Sequence, residues 1–370
     1  MKILYLTYFF GPEIGAASVR ATDVVKILIE KGNEVDVLAP LPHYPYGKIY
    51  PNYKNELNGA KIYRIESLLS SNSDSTLKRL RAQYDFFVKA KKFKLKKQYD
   101  LIISSTPPLF VSWLGDILSR KLKIPHIVDV RDLWPESIVE TKMVSPYNPI
   151  VIYAKHISNK VISNATLLIS PVKGILRRFP TKRSLWIPNS LTPLQEPRRN
   201  DNKKLRCIYA GTIGYMQNVE LLNDLKSDYA DFVVVGAGKN TNKLRNVNYL
   251  GSMSRIETIK EINKSDVGLV LMKHNKDFFK DALPSKIFEY IAYGKPIISN
   301  LLGETAAFLK ENKCGITISG SQESLKAAVE FLAKNRDFYD YLSRNALKTS
   351  AKYSKTSGII KMLELISNEK

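Results

Sequence analysis

Lys286 and Glu289 stand three residues apart in Leu283-Pro-Ser-Lys-Ile-Phe-Glu-Tyr-Ile-Ala-Tyr-Gly294. Pro284 suits the first turn of a helix, where its missing N–H costs nothing and its fixed φ fits. Gly294, with Pro296 beyond it, reads as the stop, and Pro296–Ser299 as a short buried strand. At about 100° per residue, Lys286, Glu289, Tyr290 and Tyr293 share one face; Ile287, Phe288, Ile291 and Ala292 share the other. A lysine beside the amides around Ala282–Ser285 and the positive end of a helix suits an anion such as phosphate. A carboxylate one turn further in suits sugar hydroxyls. Taken alone, the same pair is also what a surface helix with one i,i+3 ion pair would show.

The elements around this stretch alternate strand and helix. A strand at 2–7, a loop ending at Gly15, a helix over 16–31 and a strand at 35–39 open a doubly wound α/β unit. In such units ligands lie beyond the carboxyl ends of the strands. Gly15 there lets backbone amides approach a phosphate, and Glu13 and Arg20 flank it as polar contacts; a helix-start turn without ligand fits equally well. A Pro- and Tyr-rich loop follows, with His43, Tyr44 and Tyr46 in its first part and Ile49-Tyr-Pro-Asn-Tyr53 in its second. Such a loop offers a rigid amphipathic surface to sugar or lipid. Asp129-Val-Arg-Asp-Leu-Trp-Pro-Glu136 gathers charge just past another strand end; strand-end ion pairs with a packed Trp would show the same pattern, and given a doubly wound fold Arg131 and Asp132 suit contacts to a reacting sugar or acceptor, with Glu136 and Lys142 behind them. After a polar stretch the strand pattern restarts at 205–209 and runs into Gly211 and Gly214, a second Gly-containing turn between strand and helix. Phe232–Gly238 is a strand followed by G-x-G, a weak signal alone.

Composition narrows the partners. The 370 residues suit two domains, and no run of eighteen apolar residues exists to span a bilayer. Cys207 and Cys314 are too few and too far apart for a disulfide framework and fit a reduced, cytoplasmic protein. His43, His126, His156 and His274 lack ligand spacing and no Asp-x-Asp occurs, so neither a metal site nor a cofactor is expected. The formal net charge of +22 points to an anionic partner, unless it is a lysine bias of the whole proteome. Residues 77–98 read as a helix with nine Lys or Arg against Asp85 and an apolar side of Leu80, Tyr84, Phe87, Val88 and Leu95. A basic amphipathic helix of this kind suits an anionic membrane surface, at about 1 kcal/mol per cation, and equally a solvated lysine face over an ordinary core-packing stripe.

Asp281, seven intervening residues, Glu289 and then Gly294-Lys-Pro296 resemble the signature of the retaining nucleotide-sugar glycosyltransferases of family GT4. In that signature the first acid is normally Glu. Phe10-Gly-Pro-Glu-Ile-Gly15, the Pro-Tyr-Pro loop and Asp129–Glu136 are similar to a bacterial and archaeal branch, WbuB-like, that builds surface polysaccharides. The resemblance implies the GT-B fold: two Rossmann-like α/β domains whose parallel sheets face each other across a cleft. The domains would be 1–190 on the acceptor side, a linker at 191–204, 205–350 on the nucleotide-sugar side, and a C-terminal helix in 351–370 crossing back. It implies transfer of a UDP-activated hexose or N-acetylaminosugar, without metal, to a polyprenyl-diphosphate-linked acceptor at the inner face of the cell membrane. Lys286 would hold the diphosphate, Glu289 the ribose and Asp281 the donor sugar. Gly15, Gly211, Gly214, Leu283 and Ser285 would complete the donor site, with Arg131 and Asp132 at the reacting centre and Glu13, Arg20, His43, Tyr44 and Tyr46 on the acceptor side. Many members carry a phosphate-gripping Lys shortly after the second Gly turn; here Gln217-Asn218 stand there, which shifts that role to Lys286.

Two other classes compete. A nucleotide-sugar 2-epimerase would use a related two-domain scaffold, but the acid-to-Glu string with its Gly-x-Pro sequel matches the transferases better. A non-catalytic nucleic-acid-binding protein would explain the charge, but no RNA-binding motif occurs and the lysines do not interleave with a stacking platform.

Overall fold

The computed structural model describes residues 1–13, 15–136, 139, 144–190, 204–273 and 283–368. The chain divides into two compact units, Met1–Ile187 with Gly358–Lys370, and Pro188–Ser357. Asp281, Lys142, His274 and nearly all of the 191–204 linker lie outside the described residues.

The first unit is built on an eight-stranded sheet in the order β3-β4-β2-β1-β5-β6-β7-β8. Its strands are β1 (Lys2–Leu6), β2 (Glu34–Pro40), β3 (Glu56–Leu57), β4 (Ala60–Ile65), β5 (Leu101–Thr106), β6 (His126–Val130), β7 (Leu167–Ser170) and β8 (Ser184–Trp186). Its helices are α1 (Ala16–Glu30), α2 (Thr76–Lys91), α3 (Leu109–Leu122), α4 (Pro149–Asn164) and the short α5 (Lys173–Arg177). The strands read as unbroken apolar runs because helices cover both faces. Ile3 and Tyr5 of β1 pack with Ala21, Val24 and Leu28 of α1, while Leu4 and Leu6 face Phe86, Val111 and Leu114 of α2 and α3.

The second unit carries six parallel strands in the order β11-β10-β9-β12-β13-β14. They are β9 (Leu205–Ala210), β10 (Ala230–Val235), β11 (Asn248–Tyr249), β12 (Val267–Val270), β13 (Ile297–Ser299) and β14 (Gly315–Thr317). Helices α6 (Arg255–Lys264), α7 (Ser285–Ala292), α8 (Glu304–Asn312), α9 (Gln322–Lys334) and α10 (Arg336–Lys352) accompany them. The last helix, α11 (Lys355–Ser367), begins in this unit and ends in the first, where Ile359, Met362 and Ile366 join the β1–α1 core. Gly358 makes the passage possible, because a Cβ there would come within 2.9 Å of the Ile187 side chain.

The first sheet is parallel, as expected, apart from one short edge pair: β3 pairs antiparallel with β4 through the two-residue turn Asn58-Gly59, with φ of 52° and 94°. Both turn residues take positive φ, as a tight hairpin of this hand requires. One expectation needs correction. The basic helix ends at Lys91, not at residue 98. Beyond it Phe93 packs on Tyr63, ring centroids 5.1 Å apart, and Lys97 bridges Glu34 and Asp36. These contacts outweigh continuing a helix whose lysines would repel one another at i,i+4 spacing.

Candidate functional site

In the second sheet the chain runs outward from β9 to β10 and β11, then returns to β12 on the other side of β9. The gap beyond the carboxyl ends of β9 and β12 is therefore the switch point where an open α/β sheet holds its ligand. Gly211 follows β9 there with φ +143°. Gly236, after β10, has φ +145°, and a Cβ on it would overlap the Gly211 carbonyl. The G-x-G after β10 thus lets two loops lie against each other. The Gly214 turn is pinned on both sides: Gly214 N donates to Gln217 Oε1 at 2.9 Å, and Asn240 Nδ2 donates to Gly214 O at 3.0 Å. Gln217, in place of a phosphate-gripping lysine, shapes the loop.

Helix α7 enters this gap. Pro284 is its cap, one residue ahead of the predicted first turn, and Ser285 begins the helix with its side chain exposed. Leu283 is buried, and Gly294 at φ 63° terminates the element. Lys286 extends to the β9 end, where Nζ sits 3.8 Å from the centroid of the Tyr209 ring. The same Nζ lies 3.0 Å from where a Cβ on Gly211 would be, so any side chain at 211 would displace it. Among the described residues Lys286 makes no ion pair: the i,i+3 bridge to Glu289 is not formed. Burial pushes its amine down from 10.5 to about 7, against the pull of the nearby Glu289 charge. A cation held by the negative face of an aromatic ring is stabilised without being neutralised. Burial likewise pushes the Glu289 carboxyl up, opposed first by Arg255 and then by Lys286. Arg255, at the start of α6, was not picked out from the sequence, because only the fold brings it near α7. Tyr290 is fully buried, contrary to its placement on the polar face; its hydroxyl accepts from Ala210 N at 2.9 Å and locks α7 to β9. The Tyr293 hydroxyl is buried without a partner.

In the first sheet the switch point falls between β1 and β5. The loop after β1 is organised by Glu13, whose carboxylate accepts from Phe10 N (3.0 Å), His43 N (2.8 Å) and Tyr44 N (3.0 Å). One buried side chain thereby ties two loops together. His43 Nδ1 lies 2.7 Å from the Leu41 carbonyl and so carries the proton, which leaves Nε2 as a buried acceptor without a partner. Gly15 begins α1, and a Cβ there would meet the Tyr44 ring at 3.3 Å. Tyr46 is 65% exposed.

Arg20 is a structural clamp, not the open polar contact expected of it. It is 1% exposed, pairs bidentately with Asp129 at 2.8 and 2.9 Å, and donates from Nη1 to Ile187 O at 2.9 Å. An arginine in the apolar stripe of α1 can be buried only with such a partner, and the partner lies 109 residues away. Arg131 donates from Nη2 to the Pro107 carbonyl and keeps Nε buried without a partner, while burial lowers its pKa. Asp132 is exposed beside it and Glu136 half-buried.

The geometry matches known architectures over its full length. Sucrose-phosphate synthase from Thermosynechococcus elongatus superimposes with a TM-score of 0.72 at 14% identity, over 100% of this chain and 99% of that one. HepE from Anabaena, solved with UDP, gives 0.67 at 15% identity over 100% of both chains. The chain has the GT-B fold. WaaG, a GT-B glycosyltransferase involved in lipopolysaccharide biosynthesis, gives 0.63 at 12% identity over 98% of this chain and 99% of its own. The family model for the C-terminal domain of glucosyltransferase 3-like proteins matches residues 207–362, which cover most of the second unit and the first part of α11. No curated protein matches the chain as a sequence relative.

Proposed function

We propose that the protein is a retaining, metal-independent glycosyltransferase that takes a hexose or N-acetylaminosugar from a UDP-sugar. The observation that carries this reading is Lys286, a half-buried, desolvated amine at a sheet switch point, held on Tyr209 with no carboxylate contact among the described residues. As the sugar leaves, charge develops on the diphosphate. Lys286 and the amides at the start of α7 are preorganised to stabilise that charge, whereas in the Gly211–Gly214 turn Gly211 N, Ile213 N and Gly214 N already donate to Val235 O, Ala237 O and Gln217 Oε1, so the turn contributes close approach. Glu289, one turn along, takes the ribose hydroxyls, and Asp281 the donor sugar. Arg131 and Asp132 contact the reacting sugar or acceptor in this reading, with Glu13 holding the loop that carries His43 and Tyr44 in shape. HepE has been solved with UDP and with UDP-glucose, which supports the choice of donor.

The acceptor in this reading is a lipid-linked saccharide at the inner membrane face, in polysaccharide assembly of the WbuB-like kind. Among the described residues no helix is long and apolar enough to cross a membrane. Two adjacent helices present surfaces suited to lie on one. On α2, Lys78, Arg81, Lys89 and Lys91 are exposed beside Leu77 and Tyr84. On α4, Ile150, Ile152 and Tyr153 are exposed together with Lys155 and Lys160. Helix α3 packs against both, so the two faces lie on one side of the sheet. Apolar residues ringed by lysine suit an anionic leaflet.

The deciding experiment incubates the protein with UDP-sugars, with and without polyprenyl-diphosphate-linked saccharide, and follows UDP release in the presence of EDTA. Release that requires the lipid acceptor supports transfer. Interconversion of the free nucleotide sugar would instead indicate an epimerase, and no sugar chemistry at all would overturn the reading.

A further inference from the structure

The second half of the Pro- and Tyr-rich loop has no part in the reading above. It folds back along the outer edge of the first sheet. The short β3 covers only the start of β4, through Glu56 opposite Lys61 and Leu57 opposite Ala60. Beyond that point Ile62 N donates to Asn55 O at 2.8 Å, and the rest of β4 borders a cavity of about 560 Å³. That size lies within the range of about 300–1,000 Å³ usual for small-molecule sites.

Its lining combines two chemistries. Tyr53, Tyr63 and Phe93 are half-buried, so each leaves part of a ring open, and they come from the loop, the strand and the segment after α2. Around them Asn55, Lys61 and Glu66 are exposed, and Arg64 forms part of the wall. Arg64 is an unusual wall residue. Its guanidinium lies 5.7 Å from the Phe10 ring centroid and 5.9 Å from that of Tyr53. It donates to the carbonyls of Pro40 and Gly11, and its Nε is buried without a partner. Among the described residues no carboxylate pairs with it. Burial pushes it down to about 10. A desolvated guanidinium bonded only to neutral carbonyls keeps positive charge that the nearby Glu13 offsets only in part, since burial still outweighs that attraction; in the lining Lys61 adds one cation and Glu66 one anion.

Partly open aromatic rings suit the C–H faces of pyranoses, the amide and carboxylate of Asn55 and Glu66 suit their hydroxyls, and the excess cation suits an oxyanion. We propose that this edge groove binds a saccharide chain carrying an oxyanion substituent. Its place as a distal subsite for the growing acceptor glycan rests on the transferase reading; the binding itself does not. Leu41 and Glu66, at one end of the groove, follow the carboxyl ends of β2 and β4, the sheet end that also carries Gly15 and Arg131.

The test is calorimetric titration of the full chain, without nucleotide sugar, using tetragalacturonic acid, a phosphate-bearing teichoic acid oligomer and neutral cellotetraose. At least one anionic chain should bind about tenfold or more tighter than cellotetraose, and which one does so identifies the substituent as carboxylate or phosphate. Lys61→Glu, an exposed rim change, should weaken that binding about tenfold, and Tyr63→Ala should weaken anionic and neutral chains alike. UDP binding by the Lys61→Glu protein should match the wild type, which checks the fold and separates the two readings. If the wild type binds the glycan but no UDP, the groove stands and the donor assignment falls. Absence of binding by all three saccharides, equal affinity for the neutral one, or indifference to both substitutions would overturn the proposal.

Discussion

Arg20 and Lys286 both lie beside the central strand of an α/β sheet, one buried and the other half-buried, and they are handled in opposite ways. Arg20 meets a carboxylate in a bidentate pair and also bonds a carbonyl. Lys286 meets the face of a tyrosine and has no carboxylate partner among the described residues. A neutralised buried cation has no attraction to spare for a ligand, whereas one held by a ring retains nearly all of its own. The first pattern therefore marks architecture and the second marks a place where an anion is expected.

This contrast can be broken most decisively at Asp129. Asp129→Ala leaves the Arg20 guanidinium buried without its counter-ion and should cost about 3–5 kcal/mol in urea unfolding; a loss under about 1 kcal/mol would mean the pair is not a clamp. Lys286→Met should do the reverse. Turnover should fall about 10²–10³-fold, as when one preorganised donor is removed, while the unfolding midpoint holds or rises because a buried charge has gone. Similar losses of activity and stability in that variant would erase the distinction. Glu13→Gln sharpens the comparison within the first unit. An amide offers one acceptor oxygen where the carboxylate serves three backbone N–H groups, so about 1–3 kcal/mol of stability should be lost.

The smallest effect is a pH dependence. In the ligand-free protein the Lys286 amine lies at about 7, below its ordinary 10.5. Between those values the unfolded chain holds a proton that the folded one has released, so this group makes folding less favourable below pH 7 and ceases to do so as pH rises through the window. A diphosphate favours the ammonium form. UDP should accordingly bind more weakly above pH 7, by at most tenfold per pH unit, and should take up a proton there. Titration in two buffers of different ionisation enthalpy measures that uptake, and Lys286→Met should abolish it.

Much of the architecture was legible because parallel strands buried on both faces write themselves as unbroken apolar runs, as Ile3–Leu6 and Val267–Val270 do. Lys286 and Glu289 were legible because three-residue spacing on a short helix is a local matter. Tyr209 under Lys286, Arg255 near Glu289 and Asp129 against Arg20 were not, since each pairing is made by the fold across a long stretch of chain. The basic stretch misled in an instructive way. Its charge pattern continues to Lys97, but the backbone departs from helix at Lys92, where burying Phe93 and pairing Lys97 gain more than another helical turn. Asn58-Gly59 is a readable hairpin signal, yet the strand before it is two residues long and shows no alternation.

The route of α11 bears on how the molecule comes into being. The amino-terminal lobe gets Ile359, Met362 and Ile366 from residues that follow the other lobe in the chain. Until then the α1 side of its sheet lacks part of its cover, while every strand and helix of the other lobe has already emerged. The half that comes earlier in the sequence is thus completed only after the other half has been made, and its apolar face stays partly uncovered until then.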